Sequence, residues 1–91
     1  MSNHKWFVYI IECSDKSLYA GITDDIERRW KEHISGNGCK YTRAFSPVKL
    51  LWTEPQPDRS SALKREAQIK RWTKAKKLAL ISGNTELLKK L

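Results

Sequence analysis

Cysteine is scarce in this chain, which has Cys13 and Cys39 and no others among its 91 residues. A disulfide framework in a small secreted domain needs more cysteines, and a structural zinc site needs them in closely spaced pairs. We therefore expect neither a disulfide-stabilised scaffold nor a zinc module, and both thiols should be reduced.

Long apolar runs are also missing from the sequence. No stretch approaches the ~20 apolar residues that a helix needs to span a bilayer. The N-terminal residues likewise lack an apolar run of signal-peptide length. We expect a protein with no membrane-spanning segment and a cytoplasmic location.

Acidic side chains are the minority, because 10 Asp and Glu stand against 18 Lys and Arg, for a formal net charge of +8. Such a surface attracts polyanions, although many small basic proteins bind no nucleic acid. Basic side chains crowd the C-terminal half and form a smaller cluster with an aromatic residue before it, which favours nucleic acid. The candidate nucleic-acid-binding residues are Lys40, Arg43, Arg59, Lys64, Arg65, Lys70, Arg71 and Lys74. We expect DNA as the partner, while RNA, a protein partner and the oligomeric state stay open.

The hydrophobic pattern predicts one domain over residues 1–91 in the order β-β-α-(turn)-β-α-α. Strands are predicted at 5–12, 18–22 and 48–53, and the prolines at 55 and 57 should end the last one. Helices are predicted from Asp24 to about Ser35, from Asp58 or Ser60 to about Trp72, and over 74–81. A short turn or helical piece is expected at 41–45, and a short turn at 86–91. Asp24 and Glu27 form the expected capping box of the first helix.

The first helix carries two charged or polar side chains on its apolar side. Arg29 and His33 lie about 60° and about 20° from Ile26 on a helical wheel, so both should point at the sheet. A buried guanidinium needs an anionic or hydrogen-bonding partner. Tyr9 and Tyr19, on neighbouring strands, are candidates for that partner. The predicted buried stripe of this helix consists of Ile26, Trp30 and Ile34.

The second helix places Glu66 near the centre of its apolar stripe, with Lys70 one turn further on. One interpretation is an ordinary Glu–Lys pair at the edge of the stripe, worth ~0.2 to 0.5 kcal/mol. The other is a carboxylate for a divalent cation, because Mg²⁺ is commonly held by one or two carboxylates, water and phosphate oxygens. The stripe itself consists of Ala62, Leu63 and Ile69.

In this order the residues resemble the GIY-YIG nuclease superfamily. Residues 7–9, Phe-Val-Tyr, stand at the first motif, with Phe7 in place of its glycine, and residues 19–21, Tyr-Ala-Gly, stand at the second. Arg29 and His33 match the helix motif that follows, and Glu66 matches the family's metal-binding glutamate. The length and residues 38–43 are similar to a bacterial single-domain subgroup often called YhbQ-like.

The resemblance implies a mixed α/β (α+β) fold, with a small three-stranded antiparallel sheet flanked by helices and a phosphodiesterase site on one sheet face. It implies a metal-dependent DNA endonuclease, directed by structure rather than by sequence, in DNA repair or processing. One Mg²⁺ or Mn²⁺ ion is expected on Glu66. The implied catalytic residues are Tyr9, Tyr19, Arg29 and His33, and the implied supporting residues are Gly21, Thr23 and Asn84.

Several alternatives stay open. The same fold could bind nucleic acid or a protein without cutting anything. Tyr9 and Tyr19 could be packed sheet aromatics, Arg29 could pair with Glu66, and which tyrosine acts as the base is undecided. Asn84 could instead cap a helix. Ile22 stands where some repair members carry a lysine, and the chain has no second DNA-reading domain, so no target sequence is implied.

Overall fold

The computed structural model describes residues 5–90, so the predicted limits at 1 and 91 lie outside the described residues. The predicted order of elements is confirmed, the turn or helical piece predicted at 41–45 is a helix, and a short helix replaces the turn predicted near the C-terminus. No helix within residues 5–90 has the length and apolar character to cross a membrane. The elements are β1 (Trp6–Cys13), β2 (Leu18–Thr23), α1 (Ile26–Ile34), α2 (Lys40–Ala44), β3 (Pro47–Gln56), α3 (Arg59–Lys70), α4 (Lys74–Ser82) and α5 (Thr85–Lys90).

The sheet is antiparallel with the strand order β2-β1-β3, so β1 is the central strand. Four consecutive residues of β1, at 8–11, are buried. A central strand covered on both faces needs apolar side chains at successive positions, which explains the unbroken aromatic and β-branched run. The register places Tyr9 opposite Gly21 on β2 and opposite Thr53 on β3.

Strand β3 is longer than predicted, because Pro55 lies within it and pairs with Phe7 instead of ending the strand. Proline has no N–H to donate to a ladder, which normally excludes it from a central strand. An edge strand has one unpaired side and tolerates that loss. The sheet order, which the sequence does not show, therefore decides whether this proline ends the strand or lies within it.

Two apolar layers lie on opposite faces of the sheet. Helices α3 and α4 cover one face, with Ala62 and Ile69 packed on Val8 and Ile10. Residues from α1 and α2 cover the other face, where Tyr9 and the next alternate residues of β1 point. The alternation of side chains along a strand makes this division. The two helices that follow β2 therefore lie above the predicted tyrosines.

Two predicted core positions are wrong. Ile34 is 55% exposed, because His33 takes the buried place at the end of α1 and Ile34 lies about 100° further round the helix. Leu63 is 38% exposed, because α3 packs through Ala62 and Ile69 instead. Both residues are apolar but lie on a side of their helix that does not meet the sheet.

The helix caps follow the sequence with one correction. Asp25, and not Asp24, is the N-cap of α1, and its Oδ1 accepts from the backbone N–H of Arg28 at 3.0 Å. Asp24 instead forms an ion pair with Arg28. Asp58 and Thr73 cap α3 and α4, and α3 ends at Lys70, two residues before the predicted Trp72.

Candidate active site

Tyr9 and Tyr19 project from β1 and β2 on the same face of the sheet, with their ring centroids 6.5 Å apart. Tyr9 is buried and crosses over Gly21, its partner in the register. A Cβ atom at Gly21 would lie 2.5 Å from the phenol oxygen of Tyr9. Because Gly21, in the second motif, has no side chain, Tyr9, in the first motif, can lie flat across the neighbouring strand.

Helix α1 brings Arg29 and His33 onto the Tyr9 phenol, as the helical wheel predicted. The phenol oxygen lies 2.9 Å from His33 Nε2, and Arg29 Nε donates to the same oxygen at 3.4 Å. The guanidinium also binds Glu32 at 3.1 Å. One phenol thus contacts both a ring nitrogen and a fixed positive charge.

The electrostatics of this cluster keep His33 neutral at pH 7. Burial, followed by the positive charge of Arg29, lowers the pKa of His33 to about 4. Burial raises the pKa of Tyr9, although the Arg29 hydrogen bond opposes the shift. The pKa of Arg29 is raised although burial opposes it, because its hydrogen bonds to Tyr9 and Glu32 outweigh burial. A neutral imidazole is free to accept a proton from the phenol.

The residues that contact Tyr19 differ from those that contact Tyr9. Its pKa is raised by burial and then by a hydrogen bond with the Cys39 thiol. The pKa of Cys39 is lowered although burial opposes this, because hydrogen bonds from the Tyr19 hydroxyl and from the backbone N–H of Thr42 favour the thiolate. The ring of Tyr41, on α2, stacks on the Tyr19 ring at a centroid distance of 5.5 Å. The structure therefore pairs Tyr9 with a histidine and Tyr19 with a thiol.

Glu66 and Lys70 come from α3, which packs on the opposite face but runs beside the edge strand β2. The Glu66 side chain is 17% exposed, and its Oε2 lies 3.5 Å from Lys70 Nζ. Lys70 Nζ in turn lies 5.8 Å from the centroid of the Tyr19 ring. The negative charge of Glu66 is also among the causes that raise the pKa of Tyr9. Lys70 therefore lies between the Glu66 carboxylate and the Tyr19 ring, and the Glu–Lys pair given as the alternative for Glu66 is present.

The donor set around Glu66 fits one kind of metal site. No group of three or more His, Cys, Asp or Glu within residues 5–90 is arranged to hold a metal ion. A single carboxylate suits a hydrated Mg²⁺ or Mn²⁺ that takes its other ligands from water and substrate phosphate. It does not suit a zinc cage, which needs three or four protein ligands.

The predicted supporting residues have distinct places. Thr23 is buried, and its hydroxyl contacts both the N–H and the carbonyl of Asp25 at 3.1 Å, so it fixes the start of α1. Asn84 Oδ1 accepts from the backbone N–H of Leu87 at 3.0 Å. That bond is the helix cap that the sequence left open as the alternative for Asn84.

The predicted nucleic-acid-binding residues divide by their partners. Arg65 is half-buried, donates to Glu54 at 3.0 Å and lies over the ring of Trp72. Lys74 donates to the backbone carbonyl of Lys16 at 2.6 Å but stays exposed. The other exposed members are Lys40, Arg43, Arg59, Lys64, Lys70 and Arg71.

Helix α2 contributes site residues that the sequence prediction missed. Thr42 is buried, and its Oγ1 lies 2.8 Å from His33 Nδ1. Gly38 stands against this pair, because a Cβ there would lie 2.4 Å from His33 Nδ1. The sequence predicts a basic and aromatic cluster at residues 40–43 and a subgroup resemblance over residues 38–43, but no site role for Thr42 or Gly38. No spacing within one sequence signals that a threonine nine residues after a histidine will bond to it.

Comparison with known proteins agrees with this geometry. The family model of the GIY-YIG catalytic domain matches residues 5–79. This chain belongs to the GIY-YIG family. Two UPF0213 proteins are similar to it over nearly their whole length. One, from Haloquadratum walsbyi, is 49% identical and covers 93% of this chain and 96% of its own. The other, from Syntrophus aciditrophicus, is 54% identical and covers 90% and 95%.

Two solved structures share the GIY-YIG fold of this chain. The NMR structure of a UPF0213 protein from Bacillus halodurans has 42% identity and a TM-score of 0.55, and covers 86% of this chain and 83% of its own. The NMR structure of a protein from E. faecalis has 38% identity and a TM-score of 0.59, with 93% of both chains covered. The predicted fold and the YhbQ-like, UPF0213 subgroup of the GIY-YIG family are therefore confirmed. Membership of a nuclease family makes nucleic acid the general class of substrate.

Proposed function

We propose that this protein is a metal-dependent endonuclease that hydrolyses phosphodiester bonds in DNA, directed by DNA structure rather than by sequence, in DNA repair or processing. One observation carries the proposal. The Tyr9 phenol is held at 2.9 Å from the ring nitrogen of a neutral His33 and at 3.4 Å from the Arg29 guanidinium. A tyrosine that only packs in a sheet needs one hydrogen-bond partner, not an acceptor and a fixed cation together.

Tyr9 is the better candidate for the base. A phenol with a raised pKa is a poor base at neutral pH. His33 solves this problem, because its neutral Nε2 accepts the phenol proton as the phenol oxygen takes a proton from water. Arg29 stabilises the negative charge on that oxygen during the transfer. Tyr19, which is hydrogen-bonded to the Cys39 thiol and not to a histidine, would orient the water or the phosphate.

Arg29 and Glu66 would act on the phosphate. The guanidinium side chain is 28% exposed, so a phosphate oxygen can reach it. Glu66 would hold one Mg²⁺ or Mn²⁺, which supplies positive charge against the charge that develops on the phosphate group. Lys70, which pairs with Glu66 at 3.5 Å, would move to the incoming phosphate backbone. The exposed lysines and arginines would hold the rest of the DNA through its phosphates, without base readout.

A second candidate is a binding module that cuts nothing. The Glu66–Lys70 pair favours it, because a carboxylate already neutralised by a lysine needs no metal ion. The basic surface would serve this function equally well. The two proposals differ in strand cleavage and in its dependence on Glu66.

Nicking of supercoiled plasmid with Mg²⁺ or Mn²⁺, with an EDTA control, tests the proposal. Glu66→Gln keeps the shape of the side chain but removes the charge that attracts the cation, so cleavage should be lost while DNA affinity is kept. Glu27→Gln is the matched control, because Glu27 also pairs with a lysine one turn on, at 3.4 Å, but on the exposed side of α1. Nicking by folded Glu66→Gln at the wild-type rate would refute the metal role. Tight DNA binding by the wild type, with no cleavage of plasmid, branched or single-stranded DNA, would favour the binding module.

A further inference from the structure

The Thr42 hydroxyl lies 3.7 Å from the Cys39 thiol, which can itself donate, and it has two further partners that together define which way its proton points. Its Oγ1 lies 2.8 Å from His33 Nδ1 and donates to the Cys39 backbone carbonyl at 3.2 Å. A carbonyl can only accept, and a hydroxyl has one proton to give. With that proton on the carbonyl, Oγ1 is left as an acceptor toward His33, and Nδ1 of the imidazole carries the ring proton.

The opposite arrangement satisfies fewer groups. If Thr42 donated to Nδ1, the ring proton of neutral His33 would lie on Nε2 and point at the Tyr9 oxygen. That oxygen already accepts from Arg29 Nε at 3.4 Å, so the phenol would receive two hydrogen bonds and lose its own acceptor. The hydroxyl proton would also leave the Cys39 carbonyl. Buried polar groups are paired wherever the geometry permits, which favours the first arrangement.

Gly38 leaves room for the contact between His33 and Thr42. A Cβ at Gly38 would lie 2.4 Å from His33 Nδ1 and 2.8 Å from Thr42 Oγ1, so a larger residue there would part the two atoms. Helix α2 carries Thr42 in a buried position although the helix has only five residues. The segment from Gly38 to Ala44 therefore belongs to the site and does not merely cover it.

We propose that Thr42 is a positioning residue, whose hydroxyl holds His33 in the tautomer protonated at Nδ1 and aims the lone pair of Nε2 at the Tyr9 phenol. The proposal rests on the proposed function for its effect on cleavage, but the tautomer itself is a property of the resting protein. When one ring nitrogen of a neutral histidine donates a hydrogen bond, the other ring nitrogen can only accept one. The tautomer decides whether the phenol has a proton acceptor at all.

Other titratable or charged groups face His33 and enter any pH profile of cleavage. They are Tyr9 from β1, Tyr19 from β2, Arg29 and Glu32 from α1, and Cys39 before α2. For this reason a pH profile of cleavage alone would not separate the effect of Thr42 from the effects of these groups. A direct measurement of the tautomer does isolate it.

The variants are Thr42→Val, which keeps the side-chain shape without the hydroxyl, and Thr42→Ser, which keeps the hydroxyl. Thr85→Val makes the same change at an exposed position on α5. Long-range proton–nitrogen NMR spectra of ¹⁵N-histidine-labelled protein at pH 7 distinguish a protonated ring nitrogen from an unprotonated one. Wild type, Thr42→Ser and Thr85→Val should show His33 protonated at Nδ1. Thr42→Val should shift toward protonation at Nε2.

The rate of cleavage should depend on the tautomer of His33. Loss of a group that orients a functional histidine typically costs about 10- to 100-fold in activity, which is the loss in kcat expected for Thr42→Val, with recovery in Thr42→Ser. A wild-type His33 protonated at Nε2 overturns the proposal even if no variant folds. A folded Thr42→Val that keeps the Nδ1 proton and its kcat also overturns it. If the wild type cleaves no DNA, the proposed endonuclease fails, while the tautomer measurement still decides the role of Thr42.

Discussion

At the scale of single residues, the site depends on one phenol and the two groups of α1 that contact it. Tyr9 is held by His33 and Arg29, while Tyr19 bonds to Cys39 and stacks on Tyr41. The two tyrosines of the family motifs are therefore chemically unequal in this chain. Tyr9 is paired with a histidine, whereas the partner of Tyr19 is a thiol.

Removing each hydroxyl in turn tests this inequality. Tyr9→Phe should lower kcat by about 100-fold or more, the usual contribution of a general base. Tyr19→Phe keeps the Tyr9–His33 pair and should lose less. Single-turnover cleavage of a plasmid, with DNA affinity measured in parallel, gives the comparison. A larger loss in Tyr19→Phe than in Tyr9→Phe would assign the base to Tyr19.

His33 should also make stability depend on pH. Its pKa falls from 6.5 to about 4 on folding, so the unfolded chain binds a proton more readily. The contribution is fully present above pH 6.5 and is lost as pH falls toward 4, by roughly 2 to 3 kcal/mol. Urea unfolding at intervals from pH 7.5 to 4 should show this slope in wild type. The slope should shrink in His33→Gln, and an unchanged slope there would place its origin in other groups.

At the scale of elements, α1 is the part that aims the functional side chains. Its entry is fixed by Asp25, which caps the helix, and by Thr23, which holds the Asp25 backbone. Its apolar side faces the strands beside Tyr9, and His33 occupies the buried place at its end. A small rotation of α1 would separate both Arg29 and His33 from the phenol.

The cap of α1 is testable with neighbouring aspartates. Asp25→Ala should cost about 1 kcal/mol of unfolding free energy, the usual loss for an N-cap side chain. In a domain of this size that corresponds to a fall in Tm of about 4 to 8 °C. Asp24→Ala removes the ion pair with Arg28 and should cost less. Thermal unfolding followed by circular dichroism compares them, and a greater loss in Asp24→Ala would contradict the assigned cap.

At the scale of the whole molecule, net charge and sheet architecture act together. The formal charge of +8 makes the domain attractive to a polyanion. The basic residues are not equivalent, however, because Arg65 is bound to Glu54 and Trp72 while its neighbour Lys64 is exposed. One basic segment therefore contains a side chain that is bound within the fold and a neighbour that is exposed to a polyanion.

Adjacent substitutions separate the two roles. Lys64→Gln should weaken DNA binding and lower the magnitude of the salt slope of log Kd by about 0.9 for the lost phosphate contact. Arg65→Gln should instead lower the unfolding free energy by about 1 kcal/mol, with a smaller effect on affinity. Binding isotherms at several salt concentrations and urea unfolding of both variants are the measurements. An affinity that does not change with salt would remove the electrostatic basis for DNA binding.

The order of elements, most helix limits and the direction of Arg29, His33 and Glu66 followed from the sequence. These properties depend on local periodicity, on capping residues and on the family motifs, all of which can be read along the chain. The same local logic failed at Ile34 and Leu63, because an apolar residue at the edge of a stripe is buried only if another element covers it. It failed at Pro55 because strand order decides whether a missing N–H matters.

Only the tertiary structure decided how the site is assembled. The flat path of Tyr9 over Gly21 comes from register across two strands, and the Thr42–His33 bond joins α2 to α1 across a loop shaped by Gly38. Such contacts depend on distances between elements, and a single sequence carries no record of those distances. The sequence by itself determined which chemical groups the site contains. Their packing determined which tyrosine meets the histidine, because a hydrogen bond requires the two atoms to lie within hydrogen-bonding distance.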